Sequence, residues 1–322
     1  MKKNNIFVEK IYFGILMLLI SFIYFYFFNY MENKFCLPFF LYSFLFIVLF
    51  FIIFASKEIL KLNKHKKNLF LEKNMILFSF IIFFYLFSIL TNYFDTNKII
   101  IFSYNKKNFF LYKMTYFLYQ NHYFLFFSFL YIFIFFLFFL FIYDFKISQF
   151  QIFLFSILYI TFFSSCFFIL VSLNYRWFWY LFLITVTNDS FAFFGGILFG
   201  KTKIFPSVSP NKTLEGCFFG IIFSLFFSFL FFLNSFVNLY FKSYLYLIFF
   251  SFCNSIISQI GDLISSKLKR NFKIKDFNNI FPGHGGLLDR FDSVLFLSFF
   301  NILILVSPFE NFKQIILNIL VF

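Results

Sequence analysis

Alanine occurs only twice in the 322 residues, at Ala55 and Ala192, and arginine three times and glycine ten times, whereas phenylalanine occurs 73 times. Such a bias toward Phe, Ile, Lys, Asn and Tyr fits an AT-rich coding sequence that drives every tolerant position to the same few residues. Residues that escape the bias are therefore informative. Nine of the ten glycines lie between Gly195 and Gly286, together with Pro206, Pro210 and Pro282. Turns favour Gly and Pro in general, but the Lys-Asn loops elsewhere in this chain form without them.

Charge is also scarce. Only 12% of the residues are charged against 62% apolar, with a mean hydropathy of +0.89. That excludes a soluble globule, because no single core hides so much apolar surface. Runs near the ~20 residues needed to cross a bilayer lie at 11–29, 37–55, 75–92, 123–143, 150–171, 177–194, 217–234, 244–260 and 294–306. The expectation is an all-α polytopic integral membrane protein of about nine transmembrane helices, within a range of about eight to ten. The runs are continuous instead of alternating, which disfavours a β-barrel. The first run has no small-residue cleavage site after it and is expected to be a retained helix.

Cysteine adds little. Cys36, Cys166, Cys217 and Cys253 lie in or beside apolar runs without CxxC spacing, the pattern of buried thiols and not of a metal site or disulfide frame. His65 and His122 stand in polar connecting segments and read as incidental. The segment 57–73, with lysines near helical spacing, reads as lying on the membrane surface.

Positive charge orients the chain. If the N-terminus is cytosolic, nine spans place 19 of the 27 basic residues on the same side as it, as the positive-inside rule requires. The connections 195–216 and 261–293, which concentrate the glycines, then face the cytosol. The net charge of +14 suits anionic lipid head groups or acidic substrates. With no sizeable soluble domain, nucleic acid is not expected as a partner.

The connection ending at Asp292 carries the densest chemistry. Asp262 sits where the eighth run ends, and Asp289 and Asp292 where the ninth begins. Carboxylates at that depth are costly unless paired or bound to cations, and a hard divalent ion such as magnesium takes oxygen ligands. Between them stand Lys267, Lys269, Arg270, Lys273 and Lys275, fit to grip phosphate oxygens, with Arg270 capable of a bidentate hold. In the turn 282–286, Gly285 and Gly286 can bring backbone N–H groups close to an anion. His284 either binds phosphate or positions that turn.

The earlier connection has the same character. Asp189 interrupts an apolar run, which makes it a functional candidate or a hydrogen-bonding partner of Asn188 or Thr187. Ser209 followed by Pro210 predicts a helix N-cap, which would put Lys212 and Thr213 in a first helical turn, where phosphate is attracted. Glu215 is either a further cation ligand or a favourable acid at a helix start.

The segment Ser266 to Asp292, SKLKRNFKIKDFNNIFPGHGGLLDRFD, resembles the signature of the phosphatidate cytidylyltransferase (CDP-diacylglycerol synthase) family. It reads Ser-x-apolar-Lys-Arg, four residues, Lys-Asp, then Pro-x-His-Gly-Gly-apolar-x-Asp-Arg-apolar-Asp. Asn278 departs from the Gly, Ala or Ser the family prefers there. Asn188 to Gly216 looks like the family's preceding segment, and its Asn-Asp start with Lys-Thr-x-Glu-Gly resembles the eukaryotic branch. The similarity is clear over about 177–293 and elsewhere rests on hydropathy alone.

The resemblance implies CTP plus phosphatidate giving CDP-diacylglycerol plus pyrophosphate, with magnesium and room for a second cation such as potassium. It implies Asp262 and Asp289 as metal ligands, with Asp292 as a third ligand or supporting acid. Ser209, Lys212, Thr213, Lys269, Arg270 and Lys275 are assigned to the triphosphate and the lipid phosphate. His284, Gly285, Gly286 and Arg290 are further substrate-binding candidates, and Asp189 and Glu215 would orient the cations. On this reading 1–176 holds N-terminal transmembrane helices with a basic cytosolic loop, and 177–322 the catalytic transmembrane region. An endoplasmic reticulum membrane with a cytosol-facing site fits the eukaryotic-like variants, and a homodimer is compatible with it. The alternatives are a CTP-dependent polyprenol (dolichol-type) kinase, which resembles the same motif region, and an anion-binding transporter.

Overall fold

The computed structural model describes residues 19–20, 22–27, 39–60, 69–96, 130, 134, 147–233, 241–278 and 285–320. Eight helices are labelled in chain order: α1 (Phe39–Leu60), α2 (Leu69–Thr96), α3 (Ile147–Leu173), α4 (Arg176–Phe199), α5 (Leu214–Leu233), α6 (Phe241–Asn271), α7 (Leu288–Val306) and α8 (Glu310–Leu320). No strand occurs among the described residues; Lys203 and Thr213 form an isolated antiparallel bridge. Among the described residues five helices are long and apolar enough to cross a membrane, within Phe40–Ile59, Lys73–Phe94, Arg176–Phe199, Leu214–Leu233 and Tyr244–Asn271. The protein is thus a polytopic, all-helical membrane protein. Most of the runs 11–29 and 123–143, together with 61–68, His122 and His284, lies outside the described residues.

The chain forms two compact units: 1–172 with 278–287, and 173–277 with 288–322. In the first, phenylalanines knit α1 to α2 and α3. Phe44 stacks on Phe168 with ring centroids 5.9 Å apart, and Phe87 meets Phe168 edge-on at 5.0 Å. Both geometries suit the aromatic quadrupole.

In the second unit α4 and α5 share the most extensive helix contact, and glycine permits it. A Cβ on Gly195 would fall 2.5 Å from Phe219 Cβ, and one on Gly216 would fall 2.5 Å from the Ala192 carbonyl oxygen. Close backbone approach through small residues is how helices associate where lipid supplies no hydrophobic drive. The same helices expose Phe193, Phe194, Ile197, Leu198, Phe218 and Ile222, an apolar surface suited to acyl chains.

Polar side chains join the remaining faces. Asn188 of α4 donates to the Ser255 carbonyl of α6 at 2.7 Å, and Gln259 of α6 donates to Asn188 Oδ1 at 2.7 Å and to the Cys217 carbonyl of α5 at 3.0 Å. Asn301 of α7 donates to Asn254 of α6 at 2.7 Å. Arg176 Nη1 donates to the Ile319 carbonyl at 3.2 Å, tying the start of α4 to the end of α8.

Three local expectations are corrected. The eighth run does not end at 260: α6 continues to Asn271, because Leu, Lys and Arg in 261–271 favour helix. It stops in a Schellman arrangement, with Lys273 at φ 55°, its N–H on the Arg270 carbonyl at 2.9 Å, and the Ile274 N–H on the Lys269 carbonyl at 3.1 Å. The ninth helix begins at Leu288 and not at 294. Ser209 is not the N-cap of α5: the Lys212 N–H reaches the Ser209 carbonyl at 3.3 Å, closing a turn with Pro210 at its second position, where proline is favoured. The capping hydroxyl belongs to Thr213, which accepts the Gly216 N–H at 3.2 Å, so Lys212 and Thr213 precede the helix.

Candidate active site

Because α6 runs unbroken past Gly261, Asp262 and Lys269 are seven residues apart on a helix and so share one face. This face meets the first turns of α7 and the connection between α4 and α5. Gly261 makes the approach possible, since a Cβ there would lie 2.9 Å from Phe296 Cβ of α7.

Two lysine–aspartate pairs define the site. Lys269 Nζ donates to Asp289 Oδ1 at 2.9 Å, with side chains 10% and 4% exposed. The other oxygen of Asp289 accepts the Phe277 N–H at 2.9 Å, and Lys269 lies 5.6 Å from the centre of the Phe277 ring. Lys212 forms an ion pair with Asp262, and these side chains are 23% and 28% exposed. The first pair is enclosed and the second is open enough to be displaced by a ligand.

Around the pairs stand more charges. Asp292 is buried, and its Oδ1 accepts the Ser293 N–H at 2.7 Å. Asp292 lies within electrostatic reach of Asp262 and Lys269, and Asp189 within reach of Asp262, Lys212, Asp292 and Arg290. Three aspartates thus act on one another, of which Asp292 is buried and Asp189 and Asp262 remain open to solvent. Such like charges are mutually unfavourable unless cations balance them, and Lys212, Lys269 and Arg290 supply balancing charge.

A shaped loop presents Lys212. Glu215, in the first turn of α5, accepts the Lys201 N–H at 3.1 Å, the Thr202 N–H at 3.1 Å and the Thr202 hydroxyl at 2.9 Å. The Leu214 N–H bonds to the Thr202 carbonyl at 2.9 Å. Glu215 therefore clasps the base of the loop, and its carboxylate is engaged there instead of facing the aspartate group. Arg270 reaches the same loop through Nε to the Val208 carbonyl at 3.2 Å, while its Nη1 donates to the Ile274 carbonyl at 2.9 Å.

The structure brings together Asp189, Asp262, Asp289, Asp292, Lys212, Lys269 and Arg290. Ser209 stands in the turn beside this group, Lys275 is exposed in the segment after α6, and Gly285 and Gly286 belong to the first unit. Sequence reasoning missed Gln259 and Asn254, polar interruptions of an apolar run whose signal was present, and Glu58, which accepts the Leu287 N–H.

The donor chemistry suits magnesium, since the acids offer hard oxygen ligands. Among the described residues no three acidic, histidine or cysteine side chains are already grouped to hold a metal ion. Magnesium tolerates this, because it usually keeps waters and substrate phosphates and uses only one or two carboxylates.

An all-helical membrane protein with buried acids and basic side chains on adjoining helices is the class that fold and site define. The Cytidylyltransferase family profile matches residues 8–307, and the chain belongs to that family. It is 41% identical over 118 residues to the phosphatidate cytidylyltransferase of Bacillus subtilis (strain 168), a match covering 37% of this chain and 43% of the relative. It is 45% identical over 117 residues to that of Helicobacter pylori (strain ATCC 700392 / 26695), covering 36% and 42%. A Staphylococcus epidermidis relative of the same name (strain RP62A) is 40% identical over 131 residues, covering 40% and 49%. The matches span less than half the length of each of these curated relatives.

Proposed function

We propose that this chain is a phosphatidate cytidylyltransferase, converting CTP and phosphatidate to CDP-diacylglycerol and pyrophosphate. The observation that carries the reading is the pair of lysine–aspartate contacts on one face of α6, flanked by Asp189 and Asp292. A site that stores balanced charge can exchange its internal pairs for a triphosphate and a divalent ion. The names of the three relatives support the same substrates.

In the proposed reaction an oxygen of the lipid phosphate attacks the α-phosphorus of CTP. The bond from that phosphorus to the bridging oxygen breaks, and pyrophosphate leaves. No covalent protein intermediate is needed; positioning and charge stabilisation carry such transfers. Lys212 turns from Asp262 to the triphosphate, the loop clasped by Glu215 holds it there, and Lys269, oriented by Asp289, faces the developing charge. Arg270 and Lys275 attract the phosphates from the aqueous side. Asp262, with Asp292 and Asp189 beside it, would hold magnesium, whose chemistry when bound is to neutralise charge on the phosphoryl oxygens. Asp289, with both oxygens engaged, serves Lys269.

The apolar surface of α4 and α5 suits a substrate that keeps its tails in the bilayer while CTP arrives from water. The bacterial relatives support a membrane of bacterial descent over the endoplasmic reticulum, with the site on the cytosolic side. The test is turnover of CTP by the purified protein in micelles. Turnover should require both phosphatidate and magnesium, and turnover independent of phosphatidate would count against the proposal.

A further inference from the structure

Glu58 is a carboxylate placed where carboxylates are rare. It lies in the last turn of α1, near the end of the membrane-span candidate Phe40–Ile59, and its residue surface is 1% exposed. An acid buried at such a place is costly unless hydrogen bonds compensate it. Its Oε1 accepts the backbone N–H of Leu287 at 2.8 Å, a contact within the first compact unit between residues 229 apart in sequence.

The neighbouring backbone is shaped to receive it. Gly285 has φ 81°, a conformation only glycine takes without strain. A Cβ on Gly286 would lie 2.7 and 2.8 Å from the two Glu58 oxygens and 2.9 Å from Cδ. The space that any other residue would need at 286 is filled by the Glu58 carboxylate. The end of the glycine-rich segment, which the sequence suggests as an anion cradle, thus has an internal carboxylate against Gly286 and the Leu287 N–H. Leu287 immediately precedes α7, whose first turn carries Asp289.

We propose that Glu58 is a positioning residue for the catalytic region. By holding the 285–287 backbone it fixes where α7 begins, and hence the register of Asp289 and Asp292. The dependence runs along the chain, from the end of an N-terminal helix through Leu287 to the helix that carries Asp289 and Asp292. The activity part of this proposal rests on the cytidylyltransferase reading; the structural part does not.

The experiment combines amide hydrogen exchange of the peptide containing Leu287 with steady-state turnover of CTP and phosphatidate, on full-length wild type, Glu58→Ala, Glu58→Gln, Gly286→Ala and the Glu58→Ala/Gly286→Ala double variant. Glu58→Ala should speed exchange at Leu287 and lower kcat by about a hundredfold, the scale of an ångström-sized misplacement of reacting groups. Glu58→Gln keeps an acceptor oxygen and should keep the protection and most of kcat. Gly286→Ala should be damaging alone but add little to Glu58→Ala, because the clash partner is gone. Unchanged Leu287 exchange in Glu58→Ala, or fully additive effects in the double variant, would overturn the positioning role. Faster Leu287 exchange in Glu58→Ala, with a wild type that never turns over CTP, would uphold the contact and overturn the functional reading instead.

Discussion

Lys269 and Asp289 are joined by a 2.9 Å ion pair whose side chains are 10% and 4% exposed, which makes it the most enclosed lysine–aspartate contact of the candidate site. Removing one partner of such a pair leaves a charge that neither water nor protein balances. Asp289→Asn should therefore lower stability by about 3–5 kcal/mol, read as an earlier thermal unfolding transition, and abolish turnover. The joint replacement Lys269→Met/Asp289→Leu should recover the transition, because well-packed apolar residues often replace a buried pair without loss, but not the turnover. Recovery of turnover in the double variant would show that the pair is only structural.

The Lys212–Asp262 pair should behave oppositely. Its side chains are 23% and 28% exposed, and partly exposed pairs contribute about 0–1 kcal/mol. Asp262→Asn should leave thermal unfolding nearly unchanged while reducing kcat by about a hundredfold or more, the usual scale for a lost electrostatic contact to a transition state. The magnesium concentration giving half-maximal activity should rise. A magnesium profile identical to wild type would remove Asp262 from the cation site.

Glu215 separates two readings of one residue. Its carboxylate clasps Lys201 and Thr202, so Glu215→Ala should loosen the loop bearing Lys212. The expected result is a raised KM for CTP with an unchanged magnesium dependence. A shifted magnesium dependence at constant KM would identify it as a cation ligand instead.

The α4–α5 contact should be intolerant of any side chain at Gly220. A Cβ there would lie 2.8 Å from the Asn188 carbonyl oxygen and 3.1 Å from Ala192 Cβ. Gly220→Ala should cost about 1–3 kcal/mol, as overpacking does, measured as a lower unfolding temperature of the detergent-solubilised protein. It should also disturb the Asn188–Gln259 hydrogen bond, which a shift in the asparagine side-chain resonances would report.

Much of the site was legible in the sequence because of what the composition suppresses. In a chain so poor in glycine, Gly195, Gly216 and Gly261 stand out, and in the structure each occupies a close helix contact. Asp189, Asp262 and Asp292 were legible as acids that an apolar chain does not carry idly. Helix limits were less legible. Nothing in hydropathy marks that α6 continues through charged residues to Asn271, since a helix leaving an apolar environment keeps its backbone bonds whatever its side chains. The Ser209–Pro210 signal was ambiguous because serine–proline opens turns as readily as helices. Glu58 was hidden in a lysine-rich stretch, where a lone acid reads as a surface charge; its partner is a backbone N–H, which leaves no trace in residue identity.

The central claim is tested most directly by offering the purified protein CTP labelled at the α-phosphorus, with phosphatidate and dolichol side by side and magnesium present. The account predicts that label enters the phosphatidate-derived lipid as CDP-diacylglycerol while pyrophosphate is released, and that omitting magnesium stops both. Release of labelled CDP with phosphorylation of dolichol would contradict it and identify a lipid kinase.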